Sequence, residues 1–300
     1  MPYVLNLIAA PGASAMNGDL VTEVKRRLGV PSAPIEWLSA DEACDIVLPF
    51  DAGWDAIVAR EIARAELKAR GIDVNALLGE GRRRKLLIAD MDSTVIEQEC
   101  IDELAEVAGF GDRIRDITAR AMRGEIDFVP ALKERVRLLE GLAVDVIGKV
   151  IAERITLRSG GRTLVATMRA NGAFTALVSG GFSAFTAHVA ETVGFELHRA
   201  NELLLRGGKL TGDVAEPVLG KDAKVEALDT LCRERGIGLE EVIAVGDGAN
   251  DIPMLRRAGL GVALHGKPAV REAAACVIDH ADLTALLYLQ GYRREEFVEG

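Results

Sequence analysis

Five short runs built almost wholly of apolar residues constrain this chain more than any other feature in it. They are Leu86-Leu87-Ile88-Ala89, Phe174-Thr175-Ala176-Leu177-Val178, Val242-Ile243-Ala244-Val245, Leu260-Gly261-Val262-Ala263-Leu264 and Cys276-Val277-Ile278. A strand that alternates apolar with polar residues has one wet face, whereas a strand apolar throughout is covered on both. The second condition is met in a parallel sheet with helices on each side. The segments between the runs carry helical spacing, so the pattern predicts an α/β fold with a doubly wound parallel sheet. Ligands of such sheets bind in the crevice outside the carboxyl ends of the strands. Three of those ends read Asp90-Met91-Asp92-Ser93-Thr94, Ser179-Gly180-Gly181-Phe182 and Gly246-Asp247-Gly248-Ala249-Asn250-Asp251.

Small and acidic groups delivered to one edge by three strands point to chemistry there. Asp90 and Asp92 lie two apart, where the chain can turn both side chains, or one side chain and one carbonyl, toward a common point. Adding Asp247 gathers three anions, which a crevice cannot keep bare without large upward pKa shifts. A hard cation resolves the conflict, and few carboxylates with retained waters suit Mg²⁺ better than zinc or a caged Ca²⁺. A lone Asp-x-Asp is most often only a turn; three matching strand ends are poorly explained that way.

Around this core the chain divides. Residues 1–80 read as strand, helix, strand or strands, helix, a small α+β accessory domain with no cluster of titratable groups. Leu5 to Ala10 is expected as a strand, and Asn17 opens a helix through Leu28 that Gly29 caps. Extended pieces follow from Ile35 and up to Pro49, then an amphipathic helix from Trp54 to Arg70. The apolar start followed by Ala13-Ser14-Ala15 has the look of an export signal, but it lacks a basic leading segment and contains Asn6, so a first strand is expected instead. Arg82-Arg83-Arg84-Lys85 is taken as a solvated linker and domain boundary. Residues 81–300 hold the sheet. The stretch between its first two runs is far longer than one crossover helix needs, and Ile101 to Ile155 within it is helical in pattern, broken at Gly109-Phe110-Gly111, Gly124 and Gly141. A helical cap inserted at about 100–156 accounts for it. The stretch from Glu196 to Val214 reads as a β-hairpin appended to the sheet.

With 36 basic against 46 acidic residues the net charge is −10, which disfavours a generic grip on nucleic acid or an anionic membrane. No stretch reaches the roughly 18 apolar residues of a membrane span. Four cysteines lie far apart with no zinc spacing, and the expected compartment is reducing and cytoplasmic.

The three strand ends, with Lys224 upstream of Asp247, resemble in order the four motifs of the haloacid dehalogenase (HAD) superfamily and, within it, of the phosphoserine phosphatases. The resemblance covers about residues 85–290. It extends to the cap, where Glu99, Met122, Phe128 and Arg135 fall at positions those enzymes use. Residues 1–80 resemble, more weakly, the ACT-like extension of some bacterial members. The resemblance implies a Rossmann-like core and a Mg²⁺-dependent hydrolysis of O-phosphoserine to serine and phosphate, the last step of the phosphorylated serine route.

The same resemblance implies a role for each residue. Asp90 is the expected nucleophile, forming an aspartyl-phosphate, and Asp92 the general acid and then base. Mg²⁺ would be held by Asp90, the backbone carbonyl of Asp92, and Asp247. Ser179, the Gly180 N–H, Lys224 and Asn250 are expected to meet the phosphate, and Asp251 to orient Lys224 or a metal-bound water. Glu99 and Arg135 would take the ammonium and carboxylate of the substrate, with Phe128 and Met122 screening it from water. Thr94 is assigned to loop geometry, and the four histidines to surface or structural places. Two rivals remain open: a phosphatase or phosphotransferase for another small phosphate such as phosphohomoserine, and an amino-acid-sensing regulatory protein. A homodimer is left open as well.

Overall fold

The computed structural model describes residues 3–13, 15–49, 56–122 and 125–300, without the side chains of Lys68, Met122 and Lys221. The chain begins with β1 (Tyr3–Ala9), the helix Gly18–Arg27, β2 (Ile35–Ser39), β3 (Ala43–Val47), the helix Ala56–Leu67 and β4 (Ile72–Leu78). These strands form an antiparallel sheet in the order β2-β3-β1-β4, a split βαβ arrangement. Asn17 caps the first helix by accepting from Leu20 N at 2.9 Å, and Gly29 follows its end at φ 71°. The expected start of the second helix at Trp54 falls outside the described residues, as do Ser14 and Gly124.

Period-two alternation gives this sheet two different buried faces. Leu5, Leu7, Cys44, Ile46, Ile72 and Val74 pack against its own helices. Val4, Ile8, Ala43 and Leu77 face the other way, into the main core. On that second face stand Asn6, Asp45, Asp73 and Asn75, all buried. On β4 Asp73 and Asn75 alternate with apolar residues as in a strand with one wet face, yet that face is buried too.

The second sheet is parallel and six-stranded. β5 (Leu86–Ala89), β6 (Phe174–Phe182) and β7 (Leu197–Asn201) come first, then, after a hairpin of β8 (Leu203–Arg206) and β9 (Lys209–Val214), come β10 (Val242–Gly246), β11 (Leu260–Leu264) and β12 (Cys276–Ile278). The order is β12-β11-β10-β5-β6-β7. From β5 the chain winds outward through β6 and β7, then returns to lay down β10 to β12 on the other side. The switch point is therefore at β5, where a ligand crevice is expected. Leu87, Ala89, Ile243 and Val245 meet one helical layer, and Leu86, Ile88, Val242 and Ala244 the other.

Two expectations are corrected. Residues 197–201 are not the first limb of a hairpin but a sixth parallel strand, whose side chains are covered less fully because it lies at an edge. The true hairpin, β8–β9, does not join the large sheet. It pairs with the cap, through Gly141 N to Leu210 O and Leu210 N to Leu142 O, both at 2.9 Å. The basic run is solvated at Arg83 and Lys85 but not at Arg82 and Arg84. Arg82 pairs with buried Asp45 at 2.5 Å, Arg83 with Glu296, Arg84 with the Glu240 carbonyl, and Lys85 with Glu241.

Asn75 and Asp73 explain how the two sheets meet. Strand β12 is an edge of the large sheet, and an open edge leaves backbone groups unpaired. Asn75 closes it: Val277 N donates to Asn75 Oδ1 at 2.8 Å, and Asn75 Nδ2 donates to Val277 O at 3.1 Å. The Asp73 carboxylate accepts from the amides of Asp279, His280 and Ala281 at 2.7–3.2 Å.

Four helices, Cys100–Ala108, Gly111–Met122, Phe128–Arg137 and Asp145–Arg154, stand over the carboxyl edge of β5 and β6. The chain enters and leaves them through the antiparallel bridge Ile96–Leu157. Among the described residues no helix is long and apolar enough to cross a membrane. Cys44, Cys100, Cys232 and Cys276 are free and buried.

Candidate active site

Strand β5 ends at Ala89 because the next residue turns its carboxylate inward. Asp90 N still donates to Val245 O at 3.0 Å, as a last rung of the ladder, while Met91 N donates to Asp90 Oδ1 at 2.8 Å. The chain then folds back through Ser93, held at φ 54°. The Asp92 carboxylate is held on both oxygens: its Oδ1 accepts from Cys100 N at 3.0 Å and its Oδ2 from Ser179 Oγ at 3.2 Å. Thr94 Oγ1 donates to Asp247 Oδ1 at 3.3 Å, which ties this loop to the end of β10.

Lys224 is 2 % exposed and bridges two carboxylates, with Nζ 2.7 Å from Asp90 Oδ1 and 2.5 Å from Asp251 Oδ1. Burial alone would lower its ammonium, but Asp251 and Asp90 overcome that and hold it charged above its ordinary range. Asp251 in turn accepts from Gly248 N at 3.0 Å. Gly246 is required beside it, since a Cβ there would lie 2.4 Å from Asp251 Cγ. One carboxylate oxygen each from Asp90, Asp247 and Asp251 lie within 4.8 Å of one another. Burial pushes Asp90 well above the usual carboxylate range, with Asp251 adding to it and Lys224 opposing. Burial also raises Asp247, against the pull of Lys267. An all-oxygen cluster short of positive charge fits a hard divalent cation. Asp90 and Asp247 of the expected metal set stand in this cluster with Asp251 beside them, and the Asp92 side chain is engaged with Cys100 and Ser179, which is compatible with the expected part for its backbone carbonyl.

A cavity of about 700 Å³ opens from this cluster toward the cap, lined among others by Asp90, Asp92, Ser179, Gly180, Asp247 and Asn250. Lys224 lies outside that lining and meets the cluster through Asp90. Ser179 Oγ accepts from Gly181 N at 2.9 Å. From the cap side Phe128 closes over Gly180, where a Cβ would come within 3.0 Å of the ring. Glu99 and Arg135 line the same space. Burial, then the Asp92 charge, raises Glu99 to about 7, while the Ser93 hydroxyl, donating at 2.9 Å, pulls it down. Burial lowers Arg135, and the charges of Asp102, Glu99 and Asp92 restore part of that. Asp90, Asp92, Glu99, Phe128, Arg135, Ser179, Gly180, Asp247 and Asn250 line this cleft, and Lys224 and Asp251 lie in the cluster beneath it. The Met122 side chain lies outside the described residues, as does that of Lys221.

The family model for haloacid dehalogenase-like hydrolases matches residues 87–256, the span that builds this cluster. The chain belongs to the haloacid dehalogenase-like hydrolases. A curated relative, the phosphoserine phosphatase of Lactococcus lactis subsp. lactis, is 47% identical over 202 residues, 67% of this hydrolase and 93% of that protein. Among solved structures, a HAD family hydrolase of Salmonella enterica subsp. enterica serovar Typhi matches with a TM-score of 0.84 at 28% identity, over 96% of this chain and 98% of that one. A phospho-aspartyl intermediate analogue of phosphoserine phosphatase matches with a TM-score of 0.64 at 40% identity, over 69% of this chain and 98% of that one.

Four residues of the hydrolase escaped the sequence reading. Lys267 lines the cavity, with Nζ 3.7 Å from Asp247 Oδ2 and its backbone N–H on the Asp247 carbonyl. It follows β11, a fourth strand end at the same edge, which was the available signal. Asp102 lines the cavity beside Arg135. Buried Asn201 donates to the carbonyls of Gly180 and Leu219 and accepts from Leu219 N, joining the β6 end to the approach of the Lys224 helix. The fourth, Arg158, grips the catalytic loop from the cap's return limb. Nothing local marks these last three.

Proposed function

We propose that this hydrolase is a Mg²⁺-dependent phosphoserine phosphatase, acting in the cytoplasm on O-phospho-L-serine through an aspartyl-phosphate on Asp90. The observation that carries the reading is one cleft holding a paired nucleophile candidate, Asp90 with Lys224, and above it both an acidic and a basic residue, Glu99 and Arg135. A phosphate ester needs the first pair; an amino acid needs the second.

Asp90 attacks phosphorus while Lys224 holds the carboxylate in line and balances its charge. Asp92, raised by burial, carries the proton that the departing serine oxygen requires. As a carboxylate it then takes a proton from the water that attacks the aspartyl-phosphate. Ser179, the Gly180 amide and Asn250 orient the phosphate oxygens. Arg135 receives the substrate carboxylate and Glu99 its ammonium, with Phe128 excluding water from the reacting centre. Asp90, Asp247 and Asp251, with the Asp92 carbonyl, are the groups that would hold Mg²⁺, which when bound neutralises charge as one anion approaches another. Residues 1–80 form an ACT-like unit beside the phosphatase core of 81–300 and its cap at 100–156.

Phosphate release from O-phospho-L-serine, measured with Mg²⁺ and with chelator, tests this reading. Release is expected only with the metal, faster than from phosphohomoserine or sugar phosphates, and absent in Asp90→Asn with the melting temperature kept. Substantial turnover by Asp90→Asn would remove the nucleophile assignment.

A further inference from the structure

The reaction scheme gives no part to Arg158, a cation with three donors on one loop. Arg158 is the residue after Leu157, whose bridge to Ile96 closes the neck of the cap. Its backbone N–H donates to Val95 O at 2.9 Å, its Nε to Thr94 O at 3.1 Å and its Nη2 to Ser93 O at 3.0 Å. Three consecutive carbonyls of the loop that follows Asp92 are thus held by one residue. Among the described residues no ion pair engages its guanidinium, so the fork is directed at the backbone.

The gripped segment is under strain and under load. Ser93 sits at φ 54°, a left-handed conformation that a serine adopts reluctantly. Its hydroxyl fixes Glu99, and the hydroxyl of Thr94 reaches Asp247. The turn at Ser93 therefore sets the places of Asp92 before it, Glu99 after it and, through Thr94, Asp247 across the cleft. A rigid two-pronged donor suits adjacent carbonyls that must both point one way; a point charge on a flexible stem cannot hold both.

We propose that Arg158 is a positioning residue for the hydrolysis, locking the Ser93–Val95 loop in its reactive shape and fastening that loop to the neck on which the cap stands. The proposal rests on the phosphatase reading. Arg158 touches no substrate in this scheme, so its removal acts first on turnover of any phosphate ester and reaches recognition of the amino-acid group only through Ser93 and Glu99.

The test compares wild type, Arg158→Ala and Arg158→Lys on O-phospho-L-serine and on an aryl phosphate, with activity expressed per folded molecule from a melt of each variant. Arg158→Ala is expected to lose about 10–100-fold in kcat, the scale of a small misplacement of reacting groups. The kcat loss appears on both substrates with KM for the aryl phosphate unchanged and Arg158→Lys in between, while KM for phosphoserine rises only as far as Glu99 follows Ser93. A kcat equal to wild type in folded Arg158→Ala overturns the proposal, as does a loss confined to KM for phosphoserine. Should Arg158→Ala not fold, Arg158→Lys decides: a lowered kcat supports the proposal and an unchanged one overturns it. Wild-type enzyme that releases phosphate from the aryl ester but not from phosphoserine ends the substrate assignment alone, and the Arg158 comparison is then read on the aryl ester.

Discussion

Glu99 is an anion that the folded chain holds at some disadvantage until a cation arrives. Burial and the neighbouring Asp92 raise it from 4.5 to about 7. The sign follows: in this window the folded state keeps a proton that the unfolded chain has released, so the group weakens the fold as pH climbs from 4.5 toward 7. For catalysis the direction reverses, because only the carboxylate attracts the ammonium of phosphoserine. The kcat/KM for phosphoserine is expected to fall as pH drops below about 7, while that for an aryl phosphate does not follow. Glu99→Gln should remove the difference between the two profiles, and parallel profiles in the wild type would show that Glu99 does not read the ammonium.

At the scale of elements, what matters is how close the strand ends come to one another. The end of β6 passes so near the loop after β5 that a Cβ on Gly181 would lie 2.6 Å from Asp92 Oδ2 and 3.1 Å from Ser179 Oγ. Gly181→Ala must displace Asp92, and a drop of about 100-fold in kcat is expected with little change in melting temperature. At Gly180 the nearest obstacle is the edge of the Phe128 ring at 3.0 Å, which belongs to the cap and can yield. Gly180→Ala should therefore be the milder variant in kcat, and steady-state kinetics of the pair checks the ranking. The hairpin β8–β9 shows the same logic from the other side, since its exposed-edge sequence looked like a sheet extension and it found its partner in the cap.

Across the whole molecule, the described residues of the segment 1–80 supply no group that lines the cleft. Its sheet instead covers the β12 edge and one flank of the core. Asp73→Ala would strip the acceptor from three consecutive backbone amides. Only the Ala281 amide is fully buried and the other two can reach water, so a loss of about 1–3 kcal/mol is expected in denaturant unfolding. The kcat of the folded variant should stay near wild type, because the cleft is built elsewhere. A large fall in kcat with stability retained would instead assign the segment 1–80 a part in the reaction.

What could be read from the sequence was whatever the chemistry writes locally. The buried strands β5, β6 and β10 to β12 announce themselves as apolar runs, and Asp90, Asp92, Ser179, Asp247 and Asn250 follow them directly, so the parallel core and most of the cleft were legible. Lys224, Glu99 and Arg135 needed the resemblance, since an isolated charge on a helix has no local mark of burial. Only the tertiary structure could decide the rest. Asp73 and Asn75 look like solvent residues and are buried because another sheet edge needs their hydrogen bonds. Arg158 looks like a surface cation and holds three carbonyls of a loop on the far side of the cap in sequence. Such groups are defined by what the fold brings opposite them, and that partner is not written in their own neighbourhood.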